Sequence, residues 1–525
     1  MPLFRSSTRV LLTALVLVLS SPATPKEITI FYTNDIESVY EPVDAFWLDE
    51  VEEIGGLAKL ATLIENQRNQ VPLSFLLDAG DLFTGSLSKA TQGRLVFDLY
   101  SEIGFDAVNL GNHEFEYGWQ VLRKVMQRAR FPVLNANIFY TGTQIPFARQ
   151  YSILHRDGVS IGVVGLMGED AFVNTMMKAN RTGLEIRDPL AVAQYWVDAL
   201  SPQVDMVVLL THQGKTAPMQ TDKEVDPEVQ RGIDDDYHLA GAVRGVDLIV
   251  SGHSDNGLWQ PAIHPVTGTV IVQTFGQGKH LGMAKFSLSE TARPQLISSE
   301  LIPVIAESLD DHAGVAELIA EARSAHPSLM DVVGYLDTVA IRRYYRESTI
   351  GNLLADILRQ RYNTDIGMIT PGAIRADLPE GEITREMILN TFPFMDQVTV
   401  LELSGSTLLN AVENGLRREY GLPQYAGLML HYDLSKPPGQ RVVKLTISGR
   451  AIAAEETYRL ATGSFTATGG EGYDMFPGHI KFVSEELVST AFVRYFQQNK
   501  PVILPPTGRQ KNVSLVAGNE ASGGN

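Results

Sequence analysis

The stretch Asp106-Ala107-Val108-Asn109-Leu110-Gly111-Asn112-His113-Glu114 decides how the rest of the chain is read. A short run able to form a buried strand ends at a glycine. Three side chains that can bind a metal or move a proton follow it. The same arrangement recurs outward from there. Ile28 to Tyr32 is followed by Asn34-Asp35-Ile36-Glu37, and Leu73 to Leu77 by Gly80-Asp81. Met206 to Leu210 is followed by Thr211-His212, and Leu248 to Val250 by Gly252-His253-Ser254-Asp255. Val133 to Ala136 and Ile161 to Leu166 read as further strands, with amphipathic stretches such as Leu57 to Arg68 between them. This alternation predicts an α/β domain whose sheets lie under helices and whose site forms at strand C-terminal ends.

The chain has 525 residues, enough for two large domains. Its 44% hydrophobic and 20% charged residues exclude a disordered or fibrous polymer. A net charge of −18 argues against a nucleic-acid polymer as partner. The absence of cysteine excludes disulfides, thiolate zinc sites, iron–sulfur clusters and a cysteine nucleophile.

Arg5 and Arg9 precede an apolar run from Val10 to Leu19, closed by Ser21-Pro22-Ala23. That is the form of a cleaved Sec signal peptide over residues 1–23; the run is short of the ~20 residues a membrane span needs. The reading is therefore an exported protein, most simply periplasmic, with no stable membrane span. Residues 24–305 form the first domain. A helix from Ser308 to Ala325, with Ser308 or Asp310 as cap, is expected to dominate a linker over 306–331. A second α/β domain spans 332–515 and a frayed tail 516–525. The acidic insert from Asp222 to Asp236 reads as a solvated loop.

Carboxylates, imidazoles and a carboxamide without thiols are hard to borderline ligands, suited to Mn, Fe, Mg, Co or Zn. Two ions ~3.5–4 Å apart need one bridging carboxylate and about three more ligands each. The strand ends supply that inventory. His113 alone would more often be a packed core residue; between Asn112 and Glu114 at a strand end, catalysis is favoured.

Taken together, Asn34-Asp35, Gly80-Asp81, Gly111-Asn112-His113-Glu114, His212-Gln213-Gly214 and Gly252-His253-Ser254 resemble the calcineurin-like dimetal phosphoesterases. The resemblance is specifically to the 5′-nucleotidase family and covers about residues 26 to 515. Gly55-Gly56-Leu57-Ala58, Asn135-Ala136-Asn137 and Arg346-Glu347-Ser348-Thr349-Ile350-Gly351-Asn352 strengthen it. It implies an N-terminal metallophosphoesterase domain of two β-sheets sandwiched between helices, joined by a helical linker to a C-terminal α/β substrate-binding domain. It implies two divalent metals. Asp81 would bridge them; Asn112, His212 and His253 would complete one site, and Asp35, Glu37 and Asp255 the other. His113 would stabilise charge on the phosphate, oriented by Glu116.

Among the metal and catalytic positions, three residues depart from the family pattern; on the substrate side Thr370, Glu471 and Gly372-Ala373 depart as well. Glu37 stands where the family commonly has His, Asp255 where it has His, Gln or Asn, and Glu116 where it has Asp. The first two fall on one metal site, which becomes all oxygen. That favours Mn, Mg or Fe there, with Zn still possible. On the substrate side the resemblance implies Arg346 and Arg375 at the phosphate or ribose, Phe465 on the base and Glu471 on ribose hydroxyls. A second aromatic wall after Pro393-Phe394 is not evident in the sequence.

The implied activity is release of phosphate from nucleoside 5′-monophosphates by in-line attack of a metal-activated water. UDP-sugars or nucleoside polyphosphates are further candidate substrates. The alternatives are a 2′,3′-cyclic nucleotide or other small phosphate ester on the same site, or a catalytically silent nucleotide-binding protein.

Overall fold

The computed structural model describes residues 26–45, 47, 48, 50–214, 233–289 and 292–514. The leader read over 1–23, the tail over 516–525 and residues 222–232 of the acidic insert lie outside the described residues.

The first domain is two six-stranded sheets, face to face, with helices on both outer faces. In one sheet Lys26–Thr33, Ser74–Asp78, Ala107–Asn109 and Val133–Leu134 run parallel, and the hairpin His280–Ser289 with Ala292–Pro303 adds an antiparallel edge. In the other, Val159–Met167, Met206–His212, Leu248–Gly252 and Val270–Val272 are parallel, flanked by antiparallel Tyr151–Arg156 and Ala262–Ile263.

Period-two alternation sorts the strand side chains between cores. Ile28, Ile30, Phe75, Leu77, Val208, Leu210, Leu248 and Val250 meet between the sheets. Phe31, Leu76 and Val108 face the outer layer formed by Leu57–Arg68 and its neighbours. Val207, Leu209 and Ile249 face the helix Pro189–Leu200 on the far side. Both faces of every central strand are thus buried, which is why these segments read as near-continuous apolar runs.

The linker helix is shorter than its sequence predicts. It spans Ala313–Ala325, preceded by a separate short turn at Ala306–Ser308. Its cap is His312, whose Nδ1 accepts the Val315 N–H at 3.3 Å; neither Ser308 nor Asp310 takes that place. Val315 and Ile319 pack into the outer core of the first domain.

The second domain is built on a five-stranded sheet ordered Gln424–Ala426, Ile366–Ile369, Thr457–Gly463, Gln397–Ser404, Ile480–Leu487. Thr349–Arg361 and Val488–Gln498 cover one face and Gly405–Gly415 the other. It docks on the first domain where Arg385–Thr391 meets Gly85–Thr91. There the Ser86 N–H donates to Asn390 Oδ1 at 2.8 Å and Ser86 Oγ to Glu386 at 3.2 Å.

Candidate active site

Five of the seven residues read as metal ligands sit on left-handed backbone: Asp35 (φ 53°), Glu37 (48°), Asp81 (61°), His253 (83°) and Asp255 (56°). None is glycine, so each position carries strain of order 1–3 kcal/mol that the surrounding fold must hold. Close backbone approach makes room for them. A Cβ on Gly111 would lie 2.2 Å from Asp81 Oδ1, and one on Gly276 would lie 2.3 Å from Asp255 Oδ1. Glu114, buried under these loops, accepts backbone N–H groups from Asp81 (3.0 Å), Leu82 (2.6 Å), Phe83 (3.2 Å) and Gly111 (2.6 Å). One carboxylate therefore fixes two strand ends against each other. The sequence places Glu114 in its motif without revealing this role.

Asp236 does the same beneath the second sheet. It opens the helix Asp234–Ala242, is fully buried, and accepts from Gln213 Nε2 (2.8 Å) and the Ser251 hydroxyl. The solvated-loop reading is wrong at this end of the insert. A charged residue reads as surface from sequence, but the hydrogen bonds from Gln213 and Ser251 offset the cost of its burial.

The donors converge. His212 Nδ1 is 3.1 Å from the Ala79 carbonyl, which can only accept, so Nδ1 is the donor there. Nε2 then faces Asp81 Oδ2 at 3.0 Å and Asn112 Oδ1 at 3.1 Å. Asp81, His212 and His253 present ligand atoms all within 4.8 Å of one another. Asp35 Oδ1 accepts the His253 N–H at 2.8 Å, and Oδ2 the Asp255 N–H at 3.4 Å.

The electrostatics ask for positive charge. Burial, then Glu37 and Asp35, push the Asp255 carboxyl well above the usual carboxylate range. Burial raises Asp35 to about 6 against the pull of His212. Burial and the neighbouring His212 lower His253 to about 3, so its imidazole is neutral. Both His253 ring nitrogens and Asp255 Oδ1 are buried without a hydrogen-bond partner. Neutral unpartnered imidazole beside crowded carboxylates is a donor set that fits divalent cations.

His113 stands over this group. Its backbone N–H donates to Asp81 Oδ1 (2.8 Å), its Nδ1 meets Glu116 Oε1 at 2.9 Å, and its Nε2 lies 3.5 Å from Glu37 Oε1. The second domain reaches the same point. Arg375 Nη2 is 2.9 Å from His113 Nε2 and 3.3 Å from Glu37 Oε1. Between the domains lies a cleft, partly open to solvent.

Phe465 and Glu471 line that cleft. The Phe465 ring lies so close over Gly470 that a Cβ there would come within 2.5 Å of it. Burial raises the Glu471 carboxyl to about 8, against a hydrogen bond from Thr370 and the charge of Arg375. Arg346 is exposed and does not line the cleft; its backbone carbonyl accepts from Gln424 Nε2 at 3.0 Å. Arg342, four residues earlier, is buried against it. The sequence offers Arg342, Arg343 and Arg346 within five residues, and only the path of the chain selects among them. Aromatic walls are also richer than the sequence suggests: Phe394, Tyr344 and Tyr420 line the cleft beside Phe465.

Residues 28–255 match the family model for calcineurin-like phosphoesterases, and residues 332–478 match that for the 5′-nucleotidase C-terminal domain. The chain belongs to the 5′-nucleotidase family. Among curated relatives, a 5′-nucleotidase of Homo sapiens is 29% identical over 89% of this chain and 87% of its own. Protein UshA of Yersinia enterocolitica is 27% identical, covering 91% of this chain and 92% of its own. A solved 5′-nucleotidase precursor from Thermus thermophilus shares the fold, with a TM-score of 0.82 at 24% identity, covering 93% of this chain and 99% of that one.

As a 5′-nucleotidase family member the protein is a metal-dependent phosphoric ester hydrolase. No helix among the described residues is long and apolar enough to cross a membrane.

Proposed function

We propose that this 5′-nucleotidase family protein is exported and releases phosphate from nucleoside 5′-monophosphates. The observation that carries the proposal is Arg375. A guanidinium from one domain meets His113 and Glu37 of the other, at the edge of the converging metal donors. A group that holds two phosphate oxygens at once is thereby brought to where cations would act.

Asp81, Asn112, His212 and His253 would hold one cation, and Asp35, Glu37, Asp81 and Asp255 the other. The all-oxygen character of the second set favours Mn, Mg or Fe over Zn. Bound there, divalent cations would supply Lewis-acid polarisation of the ester and activation of water at neutral pH.

The chain's own residues do the rest. Glu116 fixes the His113 ring through Nδ1, leaving Nε2 to hold or deliver a proton at the ester oxygens. Arg375 neutralises and orients the phosphoryl group. Phe465 offers a face to the base and Glu471 an acceptor to ribose hydroxyls, with Arg342 taking the cleft position read for Arg346. UDP-sugars and nucleoside polyphosphates are proposed as further substrates, because the cleft is partly open to solvent and so leaves room for a larger leaving group.

The test is phosphate release from AMP by metal-stripped mature protein after Mn is added back, beside an Asp81→Asn control. Release lost in the control supports the proposal. AMP binding with no turnover under any divalent metal would leave a nucleotide-binding protein instead. N-terminal sequencing of protein recovered outside the cytoplasm tests export.

A further inference from the structure

Lys89 lies outside the site described above, on the helix Gly85–Thr91 of the first domain. Its ammonium donates across the domain boundary to the Phe394 carbonyl at 3.2 Å and to Ser489 Oγ at 3.1 Å. Phe394 is no ordinary surface residue. Its ring stacks on the His113 imidazole, with centroids 5.8 Å apart and planes within 19°, and the Arg375 guanidinium lies 5.6 Å from the same ring. Two residues on, the Asp396 carboxylate accepts the Phe465 N–H and the Ser464 hydroxyl, each at 2.8 Å.

Lys89 therefore stands at one junction of three parts. Before it is the segment 394–396, which carries the ring over His113 and the anchor beneath Phe465. Below it is Ser489, fully buried at the start of Val488–Gln498. The charge of Glu116, the partner of His113, also reaches it. Burial draws the ammonium down to about 8, while the Glu116 and Asp396 carboxylates act the other way, so it is charged at neutral pH. An ammonium that donates to a backbone carbonyl and a buried hydroxyl of the opposite domain is a directional contact that no apolar side chain reproduces.

We infer that Lys89 is a positioning residue that ties the seating of the second domain to the His113–Glu116 pair. It touches neither substrate nor reacting atoms. It holds the Phe394 peptide so that the ring covers His113, Arg375 is braced beside it, and Phe465 faces the cleft. The inference rests on the proposed role of His113 and Glu116 at the phosphate ester.

The experiment compares wild type, Lys89→Met and Lys89→Arg as full mature chains with Mn. Lys89→Met is expected to lower kcat for AMP about tenfold, the size of one lost charge-assisted hydrogen bond, with KM moving less; Lys89→Arg restores most of the loss. The second readout needs no turnover. The chain has no cysteine, so spin labels on cysteines placed at exposed Gln203 and Gln440 report the separation of the domains specifically. Without substrate, the distance distribution is expected to broaden in Lys89→Met and to stay as wild type in Lys89→Arg. Ser489→Ala, which keeps the lysine and removes one acceptor, is expected to broaden it less. An unchanged kcat in Lys89→Met, an unchanged distribution in Lys89→Met, or no rescue by arginine overturns the inference. If wild type releases no phosphate from AMP, the proposed function falls, and the label distances still decide what Lys89 does.

Discussion

Arg375 and Glu37 stand 3.3 Å apart across the domain boundary, one on the substrate side and one among the metal donors. Glu37 is also one of the residues that depart from the family pattern. The pairing means that the carboxylate which makes the metal site harder also meets the guanidinium that would bind phosphate. Replacing Arg375 by Ala is expected to cut kcat/KM for AMP by roughly 10²–10³, because a charged donor to the phosphoryl group is lost. Arg375→Lys should recover only part of it, since a point charge cannot hold two oxygens in one plane. Steady-state phosphate release checks both, and equal kcat/KM in Arg375→Ala and wild type would remove Arg375 from the site.

Glu37→His exchanges oxygen for imidazole in the carboxylate-rich set. The expected outcome is a shift in bound metal from Mn, Mg or Fe towards Zn, read by elemental analysis of protein loaded from an equimolar metal mixture. Stoichiometric zinc at both positions of the wild type, with no activity from Mn or Fe, would sink the retuned-site reading.

Glu114 accepts four backbone N–H groups from the loops that present Asp81 and Asn112. Glu114→Gln keeps the shape, removes the charge and turns one acceptor into a donor facing N–H groups. A loss of about 3 kcal/mol is expected, from weakened charged hydrogen bonds and an unsatisfied buried donor. Thermal unfolding measures it; a melting temperature within a degree of wild type would show that the loops hold themselves.

Asp78 supplies a pH test of stability. It is buried with the Thr33 hydroxyl at 2.6 Å, the Tyr100 hydroxyl at 3.1 Å and the Gly80 N–H at 2.8 Å, and burial raises its carboxyl to about 8. A folded-state value above the unfolded one, about 3.9, means that the native state binds the proton more tightly. That contribution is complete below the unfolded value and is lost progressively as pH rises to about 8. Wild type should therefore lose ground to Asp78→Asn between pH 5 and pH 8. A melting-temperature difference that stays constant over that range would contradict the assignment.

The strand ends that converge on the candidate metal site were legible because buried parallel strands leave a strong mark. Polar residues that end an apolar run stand out, and Asp35, Asp81, Asn112, His212 and His253 do so. The helix Leu57–Arg68 was legible from its spacing for the same reason. The antiparallel edge was not: Ala292–Pro303 is mostly exposed and half polar, so no periodic core pattern marks it. That Arg342 and not Arg346 lines the cleft could not be read, because three arginines in five residues are equivalent in sequence and differ only in which way the chain turns. Asp236 and Glu114 were underread because what makes a buried carboxylate tolerable is its set of donors, and those come from distant segments.

The left-handed backbone at Asp35, Glu37, Asp81, His253 and Asp255 presents those side chains on tight bends that are set when the chain folds. The work of gathering the donors is completed when the chain folds, not when an ion arrives. If those residues hold cations as proposed, one cation could leave and another of similar hardness take its place without any loop having to find its shape again.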